Sequence, residues 1–311
     1  MDARPETSIA RRTMLFLPAL VASVAVAKAD QGAEAMRRSP SGPADAGRAT
    51  RLGIPPSATV LTLSGLNFNL YNYMPRQFGG VFARPPYTMR QVRYPASLAS
   101  NSISTGVAEL DAALRATAGP IVVMGHSQGA QVATHWMRQH AADPAAPEAG
   151  RLAFLLTGNP LRAETGRGIG RREVGGTTGA PTPLTSRWRI VDVARRYDGW
   201  ADWPSDESNR RAVENARAGM TRLHTHYDAV DLHDASHTIW TRGTTTFVLT
   251  REDLPLWQGR SQPEALRRAM AAYVESAYRR PPEDPRVVPP GPETLDTTTR
   301  TLFRKWGLPT P

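Results

Sequence analysis

The feature that most constrains this chain is a five-residue turn, Gly125-His126-Ser127-Gln128-Gly129. It follows an apolar run, Pro120-Ile121-Val122-Val123-Met124, and opens a segment with helical apolar spacing that reaches Ala141. A serine between a buried strand and a helix sits on a sharp, strained turn, and flanking glycines remove the Cβ atoms that would collide with the strand and helix. Its Oγ then stands clear of the sheet. The Gln128 amide opens the helix, where it can donate to an oxyanion and where the helix dipole favours negative charge. Strand before and helix after distinguish this turn from a chance pentapeptide and make Ser127 the candidate nucleophile.

The rest of the chain must supply a sheet for such a turn to stand on. Ala58 to Ser64 is a short apolar run with β-branched residues that ends at Gly65, as a buried strand running into a functional loop does. Ser104 to Ala116 has helical spacing, and Leu152 to Thr157 and Arg189 to Ala194 read as further strands. Strands alternating with helices predict an α/β class: a mostly parallel central sheet with helices on both faces, the α/β-hydrolase arrangement, over residues 58–280. Between Arg162 and Ser186 the chain is rich in Gly, Thr and Arg, which predicts a long loop or flap over one end of the sheet. Ser261-Gln262-Pro263-Glu264 has the pattern of a capping box, predicting a helix to about Tyr278.

The ends differ in character from the middle. Arg11-Arg12 precede an apolar run from Met14 to Ala27, and Ala27-Lys28-Ala29 offers a small-x-small cleavage site, so residues 1–29 read as a signal peptide. The paired arginines also fit twin-arginine export. The run falls short of the roughly 20 apolar residues of a membrane span, and nothing downstream reaches that length, so no transmembrane segment is expected in the mature chain. Residues 30–57 read as a linker or arm, and residues 281–311 as a proline-rich, extended tail.

With no cysteine in 311 residues there is no disulfide, thiol nucleophile or zinc-thiolate site, and the core must hold the exported protein together. The formal charge is +10, of which the leader's Arg4, Arg11, Arg12 and Lys28 against Asp2 and Glu6 account for two. That balance favours an anionic envelope surface. Nucleic acid is not an expected partner, because the arginines are scattered and form no basic helix or recognisable binding motif.

Ser127 needs a base, an acid and a second oxyanion donor. The donor is expected in the loop after the first strand, at Leu66 or Asn67, beside the amide of Gln128. Chain order in this arrangement is serine, then acid, then histidine. Asp198 and Asp202 leave the sheet after Ala194, and His224, His226, His233 and His237 follow as candidate bases. His126 is expected to pack at the pocket edge, since adjacent side chains on a sharp turn diverge. His224-Thr225-His226-Tyr227-Asp228 also has the H-x-H-x-D opening of a metallo-β-lactamase ligand set, but Ala229 stands where that set needs another histidine. A metal site is therefore not the expected reading of this cluster.

Taken in order, these motifs resemble the PE-PPE domain serine hydrolases of mycobacteria and their relatives, which are in turn similar to cutinases. The resemblance is carried by Tyr94-Pro95-Ala96, Gly106-Val107-Ala108, Gly125 to Ala130, Gly158-Asn159-Pro160 and Tyr197 to Pro204. It continues through Asn215 to Gly219, His224 to Tyr227, and Leu254-Pro255-Leu256. It implies a cutinase-like esterase or lipase acting on acyl esters through an acyl-serine without metal or cofactor, with acyl transfer by the same triad as the alternative. A metallohydrolase and a non-catalytic envelope-binding protein are the more distant readings. The cutinase H-x-x-Y pattern falls on His224 and Tyr227, and its D-x-x-C pattern on Asp198 to Ala201, with alanine for cysteine. The resemblance thus selects Ser127, His224 and Asp198. The chain departs from the family in carrying the signal-like segment in place of a PE or PPE leader domain.

Overall fold

A computed structural model describes residues 52–285 and 297–308. The expected signal peptide and most of the expected arm lie outside the described residues. The sheet is built from β1 (Thr59–Leu63), β2 (Thr88–Gln91), β3 (Ile121–His126), β4 (Leu152–Thr157), β5 (Arg189–Ala194), β6 (Thr238–Arg242) and β7 (Thr245–Leu249). Their spatial order is β2-β1-β3-β4-β5-β7-β6, all parallel except the β6–β7 hairpin. This is the α/β-hydrolase arrangement that the strand–turn–helix reading requires.

Every residue of β3 and β4 is buried, as expected of central parallel strands covered on both faces. Side chains alternate between two cores. Leu61, Leu63, Ile121 and Val123 meet one face, where α1 (Ser102–Arg115) contributes Val107 and Leu110, and α2 (Gln128–Gln139) contributes Val132 and Trp136. Val60, Val122 and Met124 meet the other. There the cover is Met74, Phe78 and Phe82 of a kinked 3-10 segment, together with Tyr227 and Val230. A third cluster joins α3 (Arg210–Arg222), α4 (Glu264–Glu275) and α5 (Thr297–Trp306) to Tyr197, and so buttresses the loop after β5.

Two expectations are corrected. The capping box does not form: Pro263 is the N-cap of α4, Ser261 makes no cap bond, and the helix ends at Glu275 instead of running to Tyr278. A proline ring satisfies no amide, but its fixed φ starts the helix without one. The tail is not extended throughout, because residues 297–306 form α5 and bury Phe303 in the third cluster. No helix among the described residues is long and apolar enough to cross a membrane.

Candidate active site

The elbow fixes Ser127 with φ 54° and ψ −117°, at the N-cap of α2. A left-handed serine is strained, and close packing over-determines it. A Cβ on Gly125 would lie 2.7 Å from the Gly129 carbonyl oxygen, and one on Gly129 would lie 2.1 Å from that of Leu63, so neither site admits a side chain. The Ser127 amide donates to the Thr157 carbonyl at 3.0 Å, tying the turn to β4.

Two loops from the same end of the sheet complete the arrangement. His224 Nε2 lies 2.9 Å from Ser127 Oγ, and His224 Nδ1 lies 3.0 Å from each carboxylate oxygen of Asp198. A neutral imidazole that donates Nδ1–H to Asp198 leaves Nε2 free to accept the Ser127 proton. Gly158, at φ 53°, makes room for this imidazole: a Cβ there would lie 2.9 Å from His224 Cε1.

Asp198 is fully buried and heavily supported. It accepts the Trp200 amide at 3.1 Å and the Tyr227 hydroxyl at 2.8 Å. Burial pushes its carboxyl pKa up, but the charge and hydrogen bond of His224, with the Trp200 and Tyr227 donors, outweigh burial and hold it below the ordinary carboxylate value. The carboxylate therefore stays ionised and keeps the imidazole in one tautomer. The Tyr227 hydroxyl in turn accepts the Arg195 amide at 3.1 Å.

The remaining candidates lie elsewhere. Asp202 accepts the Tyr197 amide at 2.8 Å and pairs with Arg280 at 2.6 Å, bracing the loop instead of reaching the imidazole. His226 shares Nδ1 with the Thr225 hydroxyl at 3.1 Å, and His237 Nε2 bonds the Asp231 carbonyl at 2.7 Å. The His233 amide donates to Asp231 at 2.9 Å. Among the described residues no three His, Asp or Glu side chains gather to hold a metal ion, so His224, His226 and Asp228 do not act as one ligand set.

His126 is buried, its Nδ1 has no partner among the described residues, and its ring packs on Tyr73, His224 and Tyr227 with centroids 5.4, 4.9 and 5.5 Å away. Burial, then the neighbouring His224, lower its pKa to about 3, so it stays neutral beside the site.

The two candidates for the second oxyanion donor differ in how their amides are used. Asn67 is corrected: its amide is spent on the Ala96 carbonyl at 3.0 Å, and that of Gly65 on the Tyr73 hydroxyl at 2.6 Å. The Leu66 amide, between them, has no acceptor among the described residues, and neither has that of Gln128 at the start of α2. A Cβ on Gly65 would lie 2.8 Å from Ser127 Cβ, which puts this loop against Ser127. The Gln128 side chain is also held, accepting from Ser102 Oγ at 3.1 Å and donating to the Ser97 carbonyl at 2.9 Å. Sequence reasoning missed Tyr73 altogether, and it had Gly158 and Tyr227 only as parts of patterns without a role.

A family model described as PE-PPE domain matches residues 84–280. The chain is 30% identical over 251 residues to the SL1278 acyltransferase Chp1 of Mycobacterium tuberculosis, covering 72% of this chain and 60% of that protein. It is 31% identical over 203 residues to Esterase PE16 of the same organism, covering 60% of this chain and 38% of that one. The chain thus spans less than two thirds of either relative's length. Among solved structures, a cutinase-like protein from Cryptococcus sp. aligns at a TM-score of 0.36 and 19% identity, over 56% of this chain and 87% of that one.

Proposed function

The chain belongs to the PE-PPE domain family, and from that premise we propose that it is an exported serine hydrolase that cleaves acyl esters through an acyl-Ser127 intermediate. The observation that carries this reading is the hydrogen-bonded line from Ser127 Oγ to His224 Nε2, and from His224 Nδ1 to Asp198. His224 takes the Ser127 proton as Oγ attacks the ester carbonyl carbon, and the Leu66 and Gln128 amides donate to the oxygen that becomes negative. Collapse of the tetrahedral intermediate breaks the bond to the alcohol, which receives the proton from His224. Water then attacks the acyl-serine, giving a proton to His224 and releasing the acid, and the proton returns to Ser127 Oγ. Asp198 stays ionised throughout and stabilises the transient imidazolium.

Ser127→Ala tests this directly. The variant should retain its melting temperature and lose at least about a thousandfold in kcat on nitrophenyl esters, because nucleophile and base act as a unit. Retained turnover, or failure of a fluorophosphonate to label Ser127 in the parent protein, would remove the assignment.

Acyl transfer is the second reading, and the relative named as an acyltransferase favours it. An alcohol in place of water at the second step would make the same site a transferase. Partition of the acyl group between water and added glycerol or a sugar distinguishes the two. Export rests on the Arg11-Arg12 and Ala27-Lys28-Ala29 features, and a mature N-terminus near Asp30 would support it. The positive charge would then favour contact with an anionic envelope surface.

A further inference from the structure

Arginines drawn into this fold meet carboxylates: Arg162 pairs with Asp192 at 2.7 Å, Arg195 with Glu252 at 2.6 Å, Arg196 with Glu275 at 2.9 Å and Arg280 with Asp202 at 2.6 Å. Arg167 is half-buried, yet it makes no ion pair and no side-chain hydrogen bond among the described residues. Its guanidinium lies over two indole rings instead, 5.6 Å from the centroid of Trp200 and 4.7 Å from that of Trp203. The Arg167 Nε and the Trp200 Nε1 are both buried without an acceptor among the described residues. Indole faces attract a cation without neutralising it, so this positive charge stands uncompensated.

The position is built, and it adjoins the triad. Gly166 and Gly168 flank Arg167, and a Cβ on them would lie 2.4 and 2.9 Å from the Pro160 carbonyl oxygen, so the turn admits no side chain on either side of the arginine. The Arg167 amide donates to the Trp200 carbonyl at 3.0 Å, and Thr165 Oγ1 donates to that of Ala201 at 2.8 Å. The start of the flap is thus fastened to the acid loop. Trp200 continues the connection: its amide donates to Asp198 at 3.1 Å, and its ring centroid lies 6.1 Å from that of His224. Burial first, then the like charges of Arg171 and Arg217, press the Arg167 pKa down against the opposing pull of Glu207. Glu207 is already spent, since it accepts from Arg171 at 2.5 Å and from Trp203 Nε1 at 3.0 Å. Arg217, exposed on α3, has no ion pair among the described residues, which leaves Arg167 and Arg217 as unpaired cations on this side of the triad.

We infer that Arg167, with Arg217 nearby, binds a phosphate group on the alcohol half of the ester, so that the substrates are carboxylic esters of phosphorylated alcohols. This rests on the Ser127 reading above. The alcohol leaves by taking its proton from His224, so that half of the substrate lies on the His224 side of the elbow, and Trp200 spans from His224 to the Arg167 guanidinium. A phosphate monoester carries a charge of about −1.5 to −2 at neutral pH, which matches the two unpaired guanidinium groups better than a monoanion does. The planar N–H edge of arginine also pairs with two phosphate oxygens at once. The phosphate stays on the alcohol throughout. The bond that breaks joins the acyl carbon to the alcohol oxygen, and water completes the reaction to give the carboxylic acid and the phosphorylated alcohol.

The test is kcat/KM of the full chain for butyrate release from butyryl glycerol phosphate and from neutral monobutyryl glycerol, in the parent, Arg167→Gln, Arg217→Gln and Arg115→Gln. The parent should favour the phosphorylated ester. The phosphorylated-to-neutral ratio should fall at least about tenfold in Arg167→Gln and about threefold in Arg217→Gln, because each removes a charged partner of the phosphate. Arg217 is exposed, so its variant keeps the test open even where Arg167→Gln does not fold. Arg115→Gln removes an equal charge from the end of α1, which leads into the start of β3 and so lies at the far end of the sheet from Ser127. There the ratio should stay within about twofold of the parent, since salt screens charges beyond a Debye length. A parent that cleaves nitrophenyl butyrate but shows no preference for the phosphorylated ester would overturn the subsite, as would a ratio that falls as far in Arg115→Gln as in Arg167→Gln. A parent that cleaves none of the three esters would instead sink the Ser127 reading.

Discussion

Tyr227 ties Asp198, the proposed acid, to the backbone of the fold. Its hydroxyl donates to Asp198 at 2.8 Å and accepts the Arg195 amide at 3.1 Å, so one buried oxygen links the acid to the end of β5. Tyr227→Phe keeps the ring and removes both bonds, stranding a buried amide and taking one donor from the carboxylate. It should cost about 1–3 kcal/mol of stability and lower kcat with little change in KM, measured by urea titration and ester kinetics; a change confined to KM would argue against the role. His126 gives a pH signature. Its pKa is near 3 in the folded protein, against about 6.5 in an unfolded chain. Between those values the unfolded state binds the proton and the folded state does not, so this term stabilises fully above about pH 6.5 and fades as the pH falls toward 3. His226, also lowered by burial, adds in the same direction. His126→Phe should therefore flatten, without abolishing, the fall in stability from pH 6.5 to 4. Unaltered slopes in parallel urea titrations would refute the buried neutral state. Ser127 was readable because its neighbours in sequence dictate its turn. Asp198 and His224 meet across 26 residues, and periodicity carries no record of such a meeting.

The elements that the sequence disclosed are those whose residues are buried in one uninterrupted run or along one stripe. β1, β3, β4, β5, α1 and α2 are of this kind, with bounds within a few residues of expectation. α3 escaped notice because its buried positions are Ala212, Asn215, Ala216 and Gly219, small or polar residues that make no apolar stripe, although Asn209 caps it by accepting the Ala212 amide at 3.0 Å. β2, with the exposure-alternating sequence TMRQ, is an edge strand without an apolar run, and β6 is likewise mostly exposed. The small residues of α3 have a purpose. A Cβ on Gly219 would lie 1.8 Å from the Tyr197 carbonyl oxygen, and one on Gly199 would lie 2.2 Å from that of Ala216, so helix and acid loop touch backbone to backbone. Gly219→Ala must push α3 away from Tyr197-Asp198 and move both His224, just beyond its C-terminus, and its partner. Destabilisation of about 1–3 kcal/mol should accompany a loss of kcat larger than any loss of ester binding. Full activity in this variant would mean that the loop does not depend on the helix.

On the scale of the whole molecule, the acid loop is held from outside by an ionic knot that gathers three distant stretches of chain. Arg280 pairs with Asp202 at 2.6 Å and with Glu275 at 2.8 Å, and Arg196 pairs with Glu275 at 2.9 Å and also with Asp284. Thr238 of β6 donates to Asp284 at 2.6 Å. The end of α4, the residues after it, the loop after β5 and the sheet edge are thereby joined around groups that are nearly all buried. A buried pair contributes little beyond what well-packed apolar residues would, but breaking one leaves a stranded charge at a cost of about 3–5 kcal/mol. Arg280→Met strands Asp202 and leaves Glu275 with Arg196 alone. Burial raises the Glu275 pKa, but Arg280, then Arg196, overcome that and bring it down to about 2. Its folded value is below its unfolded value of about 4.3, so its contribution is complete above pH 4.3 and disappears as the pH falls toward 2. In the variant the carboxyl titrates closer to its unfolded value, and that dependence shrinks. The stability gap between parent and Arg280→Met should therefore be widest at pH 7, close progressively below pH 4.3, and nearly vanish by pH 2. Urea midpoints for both proteins at pH 7, 4 and 2.5 measure it, and a gap that stays constant across the three would show that Arg280 acts through packing on Tyr278, 4.1 Å from its guanidinium, and not through charge.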